Sequence, residues 1–237
     1  MPPSRWFPRR RDSTQDRVQK ALEQARKGDL EAAVEMLAER FPDALAALRG
    51  MPAEEDPAWA RLAAWIAFRA GEMSEAAAYA NQAISLEEDA ATWHLLGRLR
   101  LWLHRRDADD AFRCAQRLDP GRFVIPYRVK HQRFVRMAEA ALAGVPEPFQ
   151  DRLANTLIVV DDLPSLEAVR EGEDPDLLGL YEGATALEHG LPERIVLYQR
   201  NHENICADAD DLQREVAETM RHEIGHHFGM AEDDLPY

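Results

Sequence analysis

Toward the end of the chain, apolar residues recur at every fourth position: Leu212, Val216, Met220, Ile224 and Phe228. This is a stripe of helical period. No Pro falls between Asp208 and Phe228, and Gly225 is the only Gly before Gly229, so the pattern predicts one helix over that stretch. Asp210 and Asp211 suit its first turn, where negative charge meets the positive end of the helix dipole. Gly229 permits the left-handed conformation that ends many helices. Gly225, inside the helix, costs roughly 1 kcal/mol relative to Ala, which points to a close approach there by a strand or a substrate.

Before that helix the period shortens. Leu157 to Val160 is an apolar run bounded by Asp161-Asp162 and Pro164, and reads as a strand. Leu177 to Tyr181, ended by Glu182-Gly183, reads as a second, and Arg194 to Gln199 alternates enough to be a third. Short strands and helices of this kind make a small α+β unit with a short mixed or antiparallel sheet. Arg194 to Gln199 is the candidate edge strand, able to bind an extended peptide by strand addition. Tyr198 on that strand is a candidate substrate contact, with half-buried packing as the alternative. The segments Glu171 to Asp176 and Thr185 to Pro192 read as loops flanking the cleft.

The first half is different in kind. Between Gln15 and Pro120 there is almost no strand signal, much Ala and Leu, and a phrase recurring near about thirty-four residues, as in tetratricopeptide repeats. Its instances are Gly28-Asp29-Leu30-Glu31-Ala32-Ala33, Gly71-Glu72-Met73-Ser74-Glu75-Ala76 and a degenerate Arg106-Asp107-Ala108-Asp109-Asp110-Ala111. In the last repeat Trp93, Leu96 and Gly97 fit the first helix; Ala108, Phe112, Ala115 and Pro120 fit the second, with Gly97 and Ala108 allowing close packing. Trp59, Trp65, Trp93 and Trp102 read as core. Such repeats stack to form a concave surface that holds a peptide or partner, or serve only as a folded spacer. The expected division is a basic tail (1–13), a helical-repeat domain (14–124) and a C-terminal domain (125–237), with Val129 to Leu142 a helix close to the boundary.

The chemistry concentrates in the C-terminal helix, which contains His222-Glu223-Ile224-Gly225-His226-His227-Phe228-Gly229. Histidines four apart lie on one helical face and can share one tetrahedral metal ion; Glu223 between them is placed to act as general base toward a zinc-activated water. The plain alternative is a buried polar helix whose histidines cap or pack. A catalytic zinc keeps three protein ligands. Only eleven residues follow His226, so a glutamate on a further downstream helix is not expected, and the third ligand is expected close by or upstream. Gly229 and Glu232 extend the motif to H-E-x-x-H-x-x-G-x-x-E, the metzincin spacing with glutamate for histidine. Glu232 is thus the first choice for third ligand and Asp233 the second. His227 lies about 100° around the helix from its neighbour and suits packing or surface. His94, His104, His131, His189 and His202 show no paired spacing.

The segment from about Val145 onward resembles the small bacterial zincin-like metallopeptidase domain, the minimal zincin. The matching pieces are Pro148-Phe149, Leu157 to Asp161, Leu177 to Gly183, Arg194 to Tyr198 and His222 to Gly229. The resemblance implies a zinc peptidase whose third ligand is an acid at position 232, commonly Asp where this chain has Glu.

Composition narrows the remainder. A net charge of −14 argues against a general nucleic-acid binder or an anionic membrane surface. No stretch approaches the twenty apolar residues of a membrane span, and no apolar segment follows Arg9-Arg10-Arg11, so a cytoplasmic protein is expected. Cys114 and Cys206 make neither a disulfide framework nor a metal knuckle. The sequence therefore predicts a zinc-dependent hydrolase, most simply a peptidase, carrying one zinc per chain and acting on a peptide or protein recruited through the repeats. The competing expectation is a non-catalytic adaptor with a structural or closed zinc site.

Overall fold

The structure, a computed structural model, describes residues 13–51, 55–146, 153, 156–183 and 193–227. The chain divides into two compact units, Met1–Glu88 and Asp89–Tyr237. It is mostly helical, with one small three-stranded mixed sheet in the C-terminal region.

The first unit contains α1 (Thr14–Arg26), α2 (Leu30–Glu35), a 3-10 turn at Ala38–Arg40, α3 (Phe41–Arg49), α4 (Pro57–Arg69) and α5 (Met73–Leu86). Ser13 opens α1 with a capping box: its hydroxyl accepts from the Asp16 N–H, and the Asp16 carboxylate accepts from the Ser13 N–H. Helix α4 has Pro57 at its first position, where a missing N–H costs nothing, and Asp56 caps it through the Ala58 N–H at 2.9 Å. Its Ala-rich surface lets α5 lie close, and Trp59 meets Tyr79 edge to face at 5.4 Å.

The second unit contains α6 (Ala90–Trp102), α7 (Ala108–Leu118), α8 (His131–Ala143), β1 (Leu157–Asp161), α9 (Leu166–Glu171), β2 (Gly179–Glu182), β3 (Arg194–Tyr198), α10 (Gln199–Ile205) and α11 (Ala209–His227). Helices α6 and α7 form a hairpin closed at the small residues the sequence singles out. A methyl group on Gly97 would stand 2.9 Å from the Phe112 ring, and Ala108 is buried. This hairpin belongs to the second compact unit, whereas the sequence places the division near residue 125. Polar contacts explain the packing. Arg98 of α6 pairs with Asp176 before β2, and Arg128 binds Asp109 of α7 at 2.9 Å and Glu203 of α10 at 3.2 Å.

The strand order is β1-β3-β2, with β1 parallel and β2 antiparallel to β3. Strand β3 is therefore central, with both edges of its backbone paired. This corrects the expectation that Arg194 to Gln199 is an edge strand: Ile195-Val196-Leu197 is a continuous buried apolar run, the signature of a strand covered on both faces. The edge beside the long helix is β2. Ile195 and Leu197 face a core made with Leu212, Val216, Met220 and Ile224 of α11 and with Phe134 and Met137 of α8. Two short helices go beyond the sequence expectation: α9, which Ser165 caps and Gly172 ends at φ +117°, and α10. Among the described residues no helix is long and apolar enough to cross a membrane, and Cys114 and Cys206 are both unbridged.

Candidate active site

Helix α11 spans Ala209–His227, beginning one residue after the expected start; Phe228 lies outside the described residues. Asp208 starts it: one carboxylate oxygen accepts from the N–H groups of both Asp210 and Asp211 at 2.9 Å, satisfying two of the free donors of the first turn. Leu212, Val216, Met220 and Ile224 of the apolar stripe are buried as expected, which fixes the face that His222 and Glu223 occupy beside them. His222 is partly exposed. Glu223 is only 6% exposed. His226 lies one turn on in the same helix, with its side chain outside the described set; Gly229, Glu232 and Asp233 lie outside the described residues. Among the described residues no three His, Cys, Asp or Glu side chains gather in a way that could hold a metal.

The edge strand packs directly on Glu223. A methyl group on Gly179 of β2 would come within 2.7 Å of the Thr219 Cγ2, 3.0 Å of the Glu223 Cγ and 3.2 Å of its Oε1. Any side chain at 179 would push β2 away from the helix, so the close approach lies at this glycine on the strand. The segment leading into β2 is held from both sides. Asn201 donates to the carbonyls of Pro175 and Leu177 at 3.0 and 2.7 Å, Arg98 pairs with Asp176, and the Tyr198 N–H donates to Leu178 at 2.8 Å.

Side chains alternate across a strand, and the pairing register sorts the two sheet faces. Gly179 and Tyr181 of β2 share the α11 face with Ile195 and Leu197, and Tyr181 packs against the core cluster there. Val196 and Tyr198 lie on the other face, so the structure does not bring Tyr198 to Glu223. Burial, with help from the carboxylates of Glu182, Asp161 and Glu173, pushes the Tyr198 phenol up to about 12. Tyr181 is the strand tyrosine on the helix side; burial and a hydrogen bond to Glu193 raise its phenol above the ordinary range.

His202, one of the histidines without paired spacing, is completely buried one turn behind the motif. Its Nδ1 lies 2.9 Å from the Tyr198 carbonyl and its Nε2 3.1 Å from the Thr219 hydroxyl; burial lowers it to about 4, so it stays neutral. The only signal for it in the sequence is its place in a polar run directly after a central strand.

The arrangement is a helix carrying the two histidine positions, a buried carboxylate between them and an edge strand pressed against that carboxylate. The donor set suits zinc, for which imidazole and carboxylate are ordinary ligands. No curated protein matches the chain. Residues 153–237 match the family model of the zincin-like metallopeptidases, which supports a zincin domain in the C-terminal region and, through it, a zinc-dependent peptidase.

Proposed function

We propose that the chain is a zinc-dependent peptidase in which His222, His226 and Glu232 hold the metal, Asp233 being the alternative third ligand, and Glu223 is the general base. The observation that carries this reading is the burial of the Glu223 carboxylate against β2, inside an H-E-x-x-H helix. Zinc, when bound, supplies the Lewis acidity that activates a water and polarises a carbonyl. Glu223 takes the proton of that water and returns it to the leaving amine, a task suited to a carboxylate shielded from bulk solvent. Among the described residues β2 pairs on its β3 side, and its outer edge is the one proposed to align an extended peptide by strand addition. The N-terminal helices, in the tetratricopeptide-like reading, recruit the substrate or a partner.

Glu223→Gln tests the proposal. It keeps the shape of the side chain and removes the base, so turnover of a peptide substrate should fall by roughly 10²–10⁴-fold while zinc stays bound. Full activity in that variant refutes the mechanism. Elemental analysis of wild type beside His222→Ala and Glu232→Ala assigns the ligands. About one zinc per wild-type chain, lost in the first and weakened in the second, is the expected result. Intact zinc in Glu232→Ala moves the third ligand to Asp233 or to an upstream residue.

A further inference from the structure

We infer that Asn201 and His202, consecutive on α10, are positioning residues that set β2 and α11 against each other; this rests on the peptidase reading above. Successive helical residues point about 100° apart, so two neighbours on one short helix can hold two different elements. Asn201 is 4% exposed, and its amide donates to two carbonyls, those of Pro175 and Leu177, in the turn that leads into β2. His202 reaches the other wall. The Tyr198 carbonyl can only accept, so Nδ1 carries the proton and Nε2 accepts from the Thr219 hydroxyl. The Phe134 ring packs on the imidazole at 5.4 Å.

The placement matters because of what Thr219 touches. It lies one turn before Glu223, and those two side chains are the ones against which Gly179 is pressed. The apolar stripe of α11 fixes which face is buried, but dispersion contacts are non-directional and tolerate small rotations or slips along the axis. A hydrogen bond between two buried groups does not, because a slip leaves both unsatisfied. The His202–Thr219 bond therefore selects one setting of the helix, and with it the position of the Glu223 carboxylate. Asn201 selects the matching position of β2. The expected division of labour is that Thr219 and His202 govern the chemical step and Asn201 governs the seating of peptide on β2.

The test uses the full chain as wild type, Thr219→Val, Thr219→Ser and Asn201→Ala. Thr219→Val, which removes the hydroxyl at constant shape, should lower kcat by about 10–100-fold with little change in KM, and weaken zinc about tenfold in a chelator competition. Thr219→Ser, which restores the hydroxyl, should return both to within about threefold. Asn201→Ala should act mainly on KM. If Thr219→Val lowers Tm while kcat per folded molecule and zinc affinity stay at the wild-type level, the bond is merely structural and the inference is overturned. Amide exchange separates this from failure of the peptidase reading. A wild type that takes up no zinc, or takes it up and cleaves no peptide, defeats that reading. The positioning is still decided: faster exchange confined to Gly179 and Glu223 in Thr219→Val, reversed in Thr219→Ser, supports it, and uniform acceleration overturns it.

Discussion

Helices α4 and α10 are both buried, and they are opposites. The buried residues of α4 are all apolar, among them Trp59, Leu62, Ile66 and Phe68 between alanines. Those of α10 are all polar: Gln199, Asn201, His202, Glu203 and Asn204. Apolar burial is favourable in proportion to area and indifferent to direction, so α4 supplies cohesion. Polar burial is tolerable only when each group finds its partner, so α10 supplies geometry. Glu203 meets this in full, whereas Asn204 on the same helix leaves its Nδ2 without a hydrogen-bond partner among the described residues. The Glu203 carboxylate accepts from Arg128 at 3.2 Å, Arg200 at 2.9 Å, the Val129 N–H at 3.0 Å and Gln199 at 2.8 Å. The helix that touches β3, the turn before β2, and α11 is the one built from directional contacts, and the candidate site lies where those elements meet.

The largest effect should come from breaking the α10 pattern. Arg128→Met removes one of two guanidinium partners of a fully buried carboxylate, and also the contacts to Asp109 and Asn204. Breaking a buried pair on one side costs about 3–5 kcal/mol, and the remaining Arg200 argues for the lower end. Urea unfolding should show the loss as a shifted midpoint. Glu203→Gln, equal in volume, should cost a comparable amount because it turns an amide N–H toward a guanidinium. A change below about 1 kcal/mol in both would mean that the network is ornamental and that α10 is held by its apolar surroundings.

Acid should separate the two kinds of burial next. His202 is lowered to about 4 and His94 to about 3, both chiefly by burial, against an ordinary value near 6.5. In the unfolded chain both histidines take up protons as the pH falls below about 6.5, while the folded unit keeps them neutral. Stability from this source is therefore complete above pH 6.5 and declines as the pH falls toward 4, by roughly 1 kcal/mol per pH unit for each histidine. Unfolding midpoints at pH 7, 6 and 5 should show that slope, and His202→Gln should remove about half of it. An unchanged slope in that variant would mean that His202 is already protonated in the folded state.

The same contrast explains what could be read from the sequence. Helix α11 and the three strands were legible because apolar periodicity is a local signal: Leu212, Val216, Met220 and Ile224 are buried as their spacing predicts, and β1 lies where Leu157 to Val160 placed it. Strand order was not legible from alternation, and the edge role went to β3 in place of β2. The continuous run Ile195-Val196-Leu197 was the overlooked hint of a central strand. The close approach at Gly179 has no local signal, because which strand residue meets the helix depends on the sheet's position over it. The polar run Gln199-Arg200-Asn201-His202-Glu203-Asn204 carries no local signal of burial. Its burial is decided by partners as remote as Arg128, 75 residues from Glu203, and no local pattern encodes them. The candidate ligands Glu232 and Asp233 lie outside the described residues, so the third ligand rests on spacing and resemblance alone.

The smallest expected effect belongs to α4. Leu62 is completely buried, yet Leu62→Met conserves volume and swaps a branched side chain for a flexible one that can follow the existing space. Such changes usually cost under about 1.5 kcal/mol, against about 3 for the equally conservative Glu203→Gln. Measured side by side in urea, the pair isolates directionality from size, since neither substitution opens a large cavity. A Leu62→Met loss as large as that of Glu203→Gln would mean that α4 is fitted as closely as α10 is bonded. Shape would then be as demanding as polarity in this chain, and cohesion and geometry would not be divided between the two helices.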